Sequence, residues 1–523
     1  MTRRTELALL AAIVVLTLVR VAATHHVFSA VLDEPVHIAA GYNWIVKHSN
    51  AFDPVHPPLA RALCALPLAR LDAPWDHGLI EAGNDLLYQH DHYERNLAAA
   101  RRVNLLFLLM AMWCVWWWAS RSFSRGTALV AVALLGLLPP VLGHAGVVTT
   151  DMAVAATLPL ALIAFDRWLE RRDAARAILL GLAIGIGLLS KFSFVAFFPI
   201  CAGALLAARV KALRSARGLA IIALAAVIAA LILWAGYFFD VDTIAHAHPD
   251  SANAPFANVR IPAPLYWVGL RAVKIHDEVG HLSFLLGGYS ERGFWYYFPV
   301  VFFFKTPIPF LLLIIAGVVA IARTRRGIEF VLMPLALMLF VLTSHINIGI
   351  RHILPIYPPL CVVAAAGVAA LWRNIKGRVP AALLMAWLVV GVEVAHPDYL
   401  AWFNEFAGRH PERIAVDSNL DWGQDLYRLG RAARRHHIER GSVLVVASVN
   451  IMAHGYPAWD DVQPFKPTTG WMAVSETALA LDPATPKGGY DWLTKNRQYE
   501  RIGRSIRLYY VRASEVGHGK LEN

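Results

Sequence analysis

The strongest constraint on this chain is a succession of apolar runs, each long enough to cross a bilayer. Eleven can be read, at approximately 7–30, 97–119, 127–145, 151–168, 175–190, 192–208, 218–239, 299–321, 328–344, 353–371 and 379–395. A spanning helix needs about 20 mostly apolar residues, with a range of roughly 17–25. Inside lipid a backbone must satisfy its own hydrogen bonds, so such runs fold as helices. Charged residues make up 16% of the chain, against roughly 25% in soluble proteins. The expected fold is therefore a polytopic α-helical membrane protein with about eleven transmembrane helices.

The formal charge of +11 needs no nucleic-acid partner. Lysine and arginine accumulate on the cytoplasmic side of membrane proteins. Arg3/Arg4, Arg121/Arg125, Arg167/Arg171/Arg172/Arg176, Arg209/Lys211/Arg214/Arg217, Arg323/Arg325/Arg326 and Arg373/Lys376/Arg378 fall on alternate loops. That alternation places the N-terminus inside and the C-terminus outside. The first apolar run follows Arg3-Arg4 and shows no small-residue cleavage site, so it is read as a signal anchor. The four cysteines stand singly, which argues against a disulfide framework or a cysteine metal site.

Outer loops at about 31–96 and 240–298 are too long to be simple turns, and a short one spans Ser344–His352. After residue 395 the chain turns polar. Residues 1–395 are expected to form the membrane domain and residues 396–523 a small outward α/β domain. Strands are expected at Val443–Ser448, Trp471–Ser475 and Ile506–Val511, and helices at Asp425–His436 and Tyr490–Lys495.

The chemistry-bearing residues cluster at the outer ends of the runs. Asp33 and Glu34 stand where the first helix surfaces, with His37 one helical turn on from Asp33. A carboxylate at the edge of an apolar slab can serve as a general base, although an acidic pair also suits a helix N-terminus. Asp151, after Thr149-Thr150, reads either as a second site carboxylate or as a capped helix start. Lys191, Lys305 and Arg351-His352 are cations on the side where cations are scarce, fit to pair with a phosphate or to snorkel. Prolines 57 and 58 hold His56 in extended chain before a helix. His90 and His92 lack a third ligand at zinc spacing. The rim aromatics Trp295, Tyr296 and Tyr297 read as an interfacial belt that could also stack on a sugar. Residues 417–425, dense in polar groups, read as a turn and a helix cap. No P-loop, HExxH or GxSxG motif is present.

In order along the chain, LDEPVHIAAG, PVHPPLARAL, TTDMA, LLSKFSF, FFFKTPIP, HINIGIRHILPIYP and DSNLDWGQDL resemble the motifs of the protein O-mannosyltransferases and their bacterial relatives in glycosyltransferase family 39. This is the GT-C architecture, shared more distantly with lipid A aminoarabinose transferase. The resemblance implies a polyprenyl-phosphate-linked sugar as donor and transfer on the outer membrane face with inversion at the sugar carbon. Asp33 matches the family's catalytic acid, Glu34 its neighbour and Asp151 a second acidic position. His56 stands where the mannosyltransferases have histidine and the aminoarabinose enzymes lysine, which disfavours the latter reading.

The resemblance also implies a division of labour. Asp33, with Glu34 and Asp151, would form the catalytic group. Arg351, Lys191, Lys305, His56 and His352 would hold the donor phosphate, and His37, Tyr289 and Trp295 would face the acceptor or sugar. A divalent cation is chemically optional, since protein cations can replace it. The acceptor would be a protein, a lipid or a glycan, at a bacterial cytoplasmic membrane. A lipid-linked sugar flippase is the rival class, but it should carry mid-membrane charges and repeat symmetry, and neither is seen in the sequence.

Overall fold

A computed structural model describes residues 2–72, 78–209, 219–251, 253, 255–495 and 497–516. The helical body begins with α1 (Arg3–Ala22). An outer loop follows, carrying α2 (Glu34–Lys47), α3 (Pro58–Ala65) and α4 (Leu79–Tyr88). Next come α5 (Tyr93–Ser122), α6 (Arg125–Leu135), α7 (Pro139–Ala145), α8 (Asp151–Glu170), α9 (Ala174–Leu188), α10 (Phe194–Ala208) and α11 (Leu219–Ala235). The second long loop contains β1 (Val241–Thr243), α12 (Ile244–Ala247), β2 (Arg260–Pro262), α13 (Pro264–Val279) and the hairpin β3 (Ser283–Leu285) and β4 (Gly288–Ser290). The body closes with α14 (Tyr297–Lys305), α15 (Ile308–Thr324), α16 (Glu329–Val341), α17 (Tyr357–Arg373) and α18 (Ile375–Ala395).

Each of the eleven expected runs is helical, but not all are straight spans. By length and composition α1, α5, α8, α17 with its leading turn, and α18 could each cross a bilayer alone. The pairs α6–α7 and α14–α15 reach spanning length only together, bent by 66° and 110°. Both bends have a proline cause: Leu138 and Thr306 take extended backbone before Pro139 and Pro307. The helices α9, α10, α11 and α16 are apolar but only 13 to 17 residues long. Lys211, Arg214 and Arg217, used in the charge count, lie outside the described residues.

The first run was expected to continue to residue 30 but ends at Ala22, and Arg101 supplies the reason. Its guanidinium is buried in α5 and donates to the carbonyls of His25 (3.1 Å), Phe28 (2.9 Å) and Ser29 (2.9 Å). A continued helix would engage those carbonyls within itself. The same guanidinium grips Glu34 twice, at 2.8 and 2.6 Å. Glu34 also accepts from the backbone N–H groups of Val31 and Val148, both at 2.8 Å. One buried ion pair thus ties the ends of α1 and α2, the middle of the chain and α5 into a single knot.

The C-terminal part holds α19 (Leu426–Arg435), β5 (Gly441–Leu444), β6 (Trp459–Asp461), β7 (Gly470–Ser475), α20 (Glu476–Leu481), α21 (Asp491–Thr494), β8 (Glu500–Ile502) and β9 (Ile506–Val511). The strands form one five-stranded sheet in the order β6-β5-β7-β9-β8, with β5 parallel to both neighbours and β9 antiparallel to β7 and β8. Strand alternation feeds two cores. Ala473, Ile506 and Leu508 face α19 together with Ile38, Tyr42, Leu86 and Leu87 of the outer loop. Met472, Val474, Tyr509 and Val511 face Tyr490 and Leu493. Packing also runs across the expected boundary after residue 395: Tyr399, Trp402, Ile414 and Ala415 belong to the core of the helical body.

Removing one partner of a buried ion pair leaves an uncompensated charge. Arg101→Ala is therefore expected to destabilise the protein by about 3–5 kcal/mol. The exposed neighbour Arg102→Ala should change stability by less than about 0.5 kcal/mol. Thermal unfolding of both variants in detergent micelles checks the contrast, and equal midpoints would remove the knot from the account.

Candidate active site

Asp33 is the N-cap residue of α2, yet its side chain makes no capping hydrogen bond. It turns to Arg351, whose Nη1 donates to Asp33 Oδ2 at 2.9 Å. The helix behind it is clamped by close backbone contacts. A side chain at Gly41 would meet the carbonyl of Arg61 in α3, and one at Gly83 in α4 would meet the carbonyl of Pro35. These approaches leave α2, and Asp33 at its head, little freedom to shift.

Asp151, the first residue of α8, is buried and pairs through Oδ1 with Lys191 Nζ. Its Oδ2 lies 3.8 Å from Arg351 Nη1. Thr150 takes the N-cap place without a side-chain bond, so the threonine cap that was weighed as the alternative is not made. Lys191 sits in the turn between α9 and α10. That turn is stitched to the start of α3 by a bond from Leu59 N to Leu189 O at 3.0 Å. Arg351 lies in a short turn leading into α17, its Cζ 4.3 Å from the ring centre of Trp422. Asp33, Asp151, Lys191 and Arg351, four residues far apart in sequence, thus form one chain of alternating charge. His352 is half-buried within electrostatic reach of Lys191, Arg351 and Asp151.

Other expected residues stand elsewhere. Glu34 is buried, and its four bonds to Arg101, Val31 and Val148 engage both oxygens, leaving no place for a substrate proton. It is a strut beneath Asp33. Lys305 was expected to face phosphate but is buried, donating to the carbonyls of Leu400 (2.7 Å) and Asn419 (2.6 Å) above the ring of Phe403. The physical reason is the break at Pro307: Lys305 ends a bent helix and turns into the contact with the C-terminal segment. Tyr297 is no belt residue. It is buried and accepts from Asn419 Nδ2 at 2.9 Å. Tyr289 and Trp295 lie on or beside the β3–β4 hairpin, exposed, in ring contact with Phe284 and Tyr296 and not with the charged cluster.

His56 and His37 meet edge to face, with ring centres 4.9 Å apart. Arg61 shapes the loop that carries His56. It is buried, bonds Asp53 at 2.6 Å and Asn50 at 3.0 Å, and also holds the His56 carbonyl. Burial, with His56 beside it, pushes the His37 ring down to about 3, against the pull of Asp33. His37 is therefore a neutral hydrogen-bonding group near Asp33 and not a cation. Among the described residues no group of three or more His, Cys, Asp or Glu converges as metal ligands do. Arg351 itself bridges the two aspartates.

Three site residues come from the C-terminal segment, which sequence reading had taken as a structural turn. Trp422 stacks under Arg351. Asp417 lies within electrostatic reach of Arg351 and Asp33. Asn419 accepts from Ile350 N at 3.0 Å and so sets the turn carrying Arg351. The density of polar groups around a tryptophan was the available signal. An apolar groove of about 530 Å³ lies between α14, α15 and α16, with Ile356 of the turn that carries Arg351 and Leu360 of α17 in its lining.

Comparison with known proteins agrees with the motifs. Residues 93–234 match the family described as dolichyl-phosphate-mannose-protein mannosyltransferase. Comparison with curated protein sequences gives no match. Among solved structures, the chain is similar to ArnT from Cupriavidus metallidurans bound to undecaprenyl phosphate. That likeness has a TM-score of 0.52 and 14% identity, over 99% of this chain and 100% of the other. The apo form of the same protein gives a TM-score of 0.51 and 15% identity over 97% and 99%. The Archaeoglobus fulgidus oligosaccharyltransferase in its apo form gives a TM-score of 0.49 and 12% identity over 87% and 64%. The shared fold is that of the membrane glycosyltransferases.

Asp417 offers a test of how the segment is held. Burial raises its carboxyl from 3.8 to about 6, with Arg351 opposing. A carboxyl raised by folding is unpenalised below its unfolded value, and the penalty grows as pH climbs to the folded one. Stability should therefore fall between pH 3.8 and about 6, by roughly 3 kcal/mol at 1.36 kcal/mol per unit. Asp417→Asn should flatten that slope. Unfolding midpoints of both proteins at pH 4 and pH 7 check it, and parallel pH profiles would sink it.

Proposed function

We propose that this chain, a GT-C-type membrane glycosyltransferase by fold and motif, transfers a sugar from a polyprenyl-phosphate carrier to an acceptor hydroxyl, with Asp33 as general base. One observation carries the assignment. Of the three carboxylates expected from the sequence, Asp33 alone is open to an acceptor. Its side chain is 30% exposed, against 1% for Asp151 and 0% for Glu34.

The reaction follows from charge. The acceptor oxygen attacks the anomeric carbon and gives its proton to Asp33, while the bond from that carbon to the phosphate oxygen breaks on the opposite face. Inversion results. The leaving lipid phosphate gains negative charge, which Arg351 and Lys191 stabilise at a site built in advance. Arg351 is held by Asp33 at 2.9 Å, and an incoming donor phosphate competes with that carboxylate for the guanidinium. Asp151 holds Lys191 and Arg351 in place, His352 lines the phosphate side, and neutral His37 with His56 borders the sugar. The carrier's tail lies in the apolar groove beside α14–α16.

The donor class is supported by the motifs and by the likeness to a protein crystallised with undecaprenyl phosphate. The acceptor is a protein, a lipid or a glycan. The cytoplasmic membrane is the site of action, with the N-terminus inside and residues 396–523 outside.

Asp33→Asn is expected to lower turnover by about 10²–10⁴-fold and leave donor binding near the wild-type level. Arg351→Ala should weaken donor binding as well as turnover. Glu34→Gln should act on stability first, because it disturbs the knot with Arg101. The check is mass spectrometry of envelope glycolipids, glycans and glycoproteins from cells with wild-type protein, with Asp33→Asn and with none. Loss of one sugar from one acceptor, with its carrier-linked donor accumulating, is the expected result. A normal product level with Asp33→Asn would overturn the general-base role. Lipid-linked sugar trapped on the inner face would point to the flippase instead.

A further inference from the structure

A second charged site lies at the far end of the helical body. Asp166 and Glu170 stand 15 and 19 residues after Asp151 on the same helix. At 1.5 Å per residue, that puts Asp166 about 22 Å from Asp151, across the membrane body. A cavity of about 370 Å³ opens there, where the ends of α5, α8 and α10 meet the α15–α16 turn. Its depth is apolar, formed by Trp118, Leu162, Leu205, Phe330 and Met333.

The mouth is charged, and the charges do not balance. Arg209 binds Asp166 at 2.9 and 3.0 Å and reaches Glu329 at 3.5 Å. Arg121 binds Glu170 at 2.8 Å. Arg325 and Arg326 line the same cavity, and among the described residues neither guanidinium has an ion pair or hydrogen bond. Among the described residues, four lining arginines thus face three lining carboxylates. The bias of cations toward one membrane face explains arginines at this end. It does not explain two unpaired ones converging on a cavity with an apolar floor. Both oxygens of Asp166 face the guanidinium of Arg209, Oδ1 at 2.9 Å and Oδ2 at 3.0 Å, so that carboxylate is already engaged.

We infer that this cavity binds the headgroup of an anionic glycerophospholipid, its phosphodiester on Arg325 and Arg326. One phosphodiester sets negative charge against the two lining guanidinium groups that have no ion pair among the described residues. Two arginines suit a phosphate through charge-assisted, paired hydrogen bonds. Basic pockets between membrane helices hold anionic headgroups in this manner. The first carbons of the chains cover the apolar side chains of the lining. The site is independent of the transfer reaction on the opposite face.

The test uses the full-length protein in detergent, read by native mass spectrometry with short-chain lipids as probes. Dioctanoyl phosphatidylglycerol should bind about tenfold more tightly than dioctanoyl phosphatidylcholine. The double variant R325Q/R326Q, at exposed positions, should lose that preference. Equal binding of the glycerol and choline lipids would overturn the proposal, as would a preference that survives R325Q/R326Q. Binding of sn-glycerol 3-phosphate as tight as that of phosphatidylglycerol would reassign the site to a soluble phosphate and overturn the lipid.

Discussion

A guanidinium shared between carboxylates at the rim of an apolar body is the interaction on which the site depends. Arg351 touches Asp33, lies near Asp151 and rests on Trp422. Each partner arrives on a different part of the chain: the head of α2, the start of α8 and the C-terminal segment. A charge at that depth is costly unless it is paired, so the fold is obliged to bring these parts together. The same rule explains Arg101, which binds Glu34 and three carbonyls and ends α1 early. The two adjacent acids of the sequence therefore serve opposite ends. Glu34 is consumed in holding the scaffold, and Asp33 is left facing the opening.

The C-terminal segment is part of the site and not an appendage. Ser29 and Leu32 bond to the backbone of Gln424 and Trp422, and Ser418 bonds to the Ile348 carbonyl at 2.7 Å. Asn419 joins Tyr297, Ile350 and Lys305. Residues 417–425 act as a wedge between the first outer loop and the turn carrying Arg351. Behind them the sheet shares one core with α2 and α4. The C-terminal sheet and the charged rim are thus mechanically one body at this face.

Much of this was legible beforehand because local physics is strong in such a chain. Apolar run length located the helices, and alternation marked β7 and β9 and the amphipathic α19. Prolines 139 and 307 stood in plain view, but their effect, two helices bent in mid-run, depended on neighbours able to receive the freed backbone. Lys305 shows the limit. By position it resembled Lys191, a lone cation at the outer end of an apolar run. One faces Asp151 and the other a pair of carbonyls. Pro307 marks a break beside Lys305, but not what the lysine meets there, because the partner lies about 40 positions away in one case and about 100 in the other.

The sequence by itself determined the class of molecule, the helical runs, the small outer sheet and the short set of charged residues from which a site could be made. Those follow from composition, periodicity and spacing, which act over one or two turns. Only the tertiary structure decided which charges meet. It made Glu34 a strut and Asp33 an open carboxylate, buried Lys305, and brought Asp417 and Trp422 to a site that begins nearly 400 residues earlier. Ion pairing is a contact between side chains distant in the chain, and its cost and gain are set by burial, which no local pattern encodes.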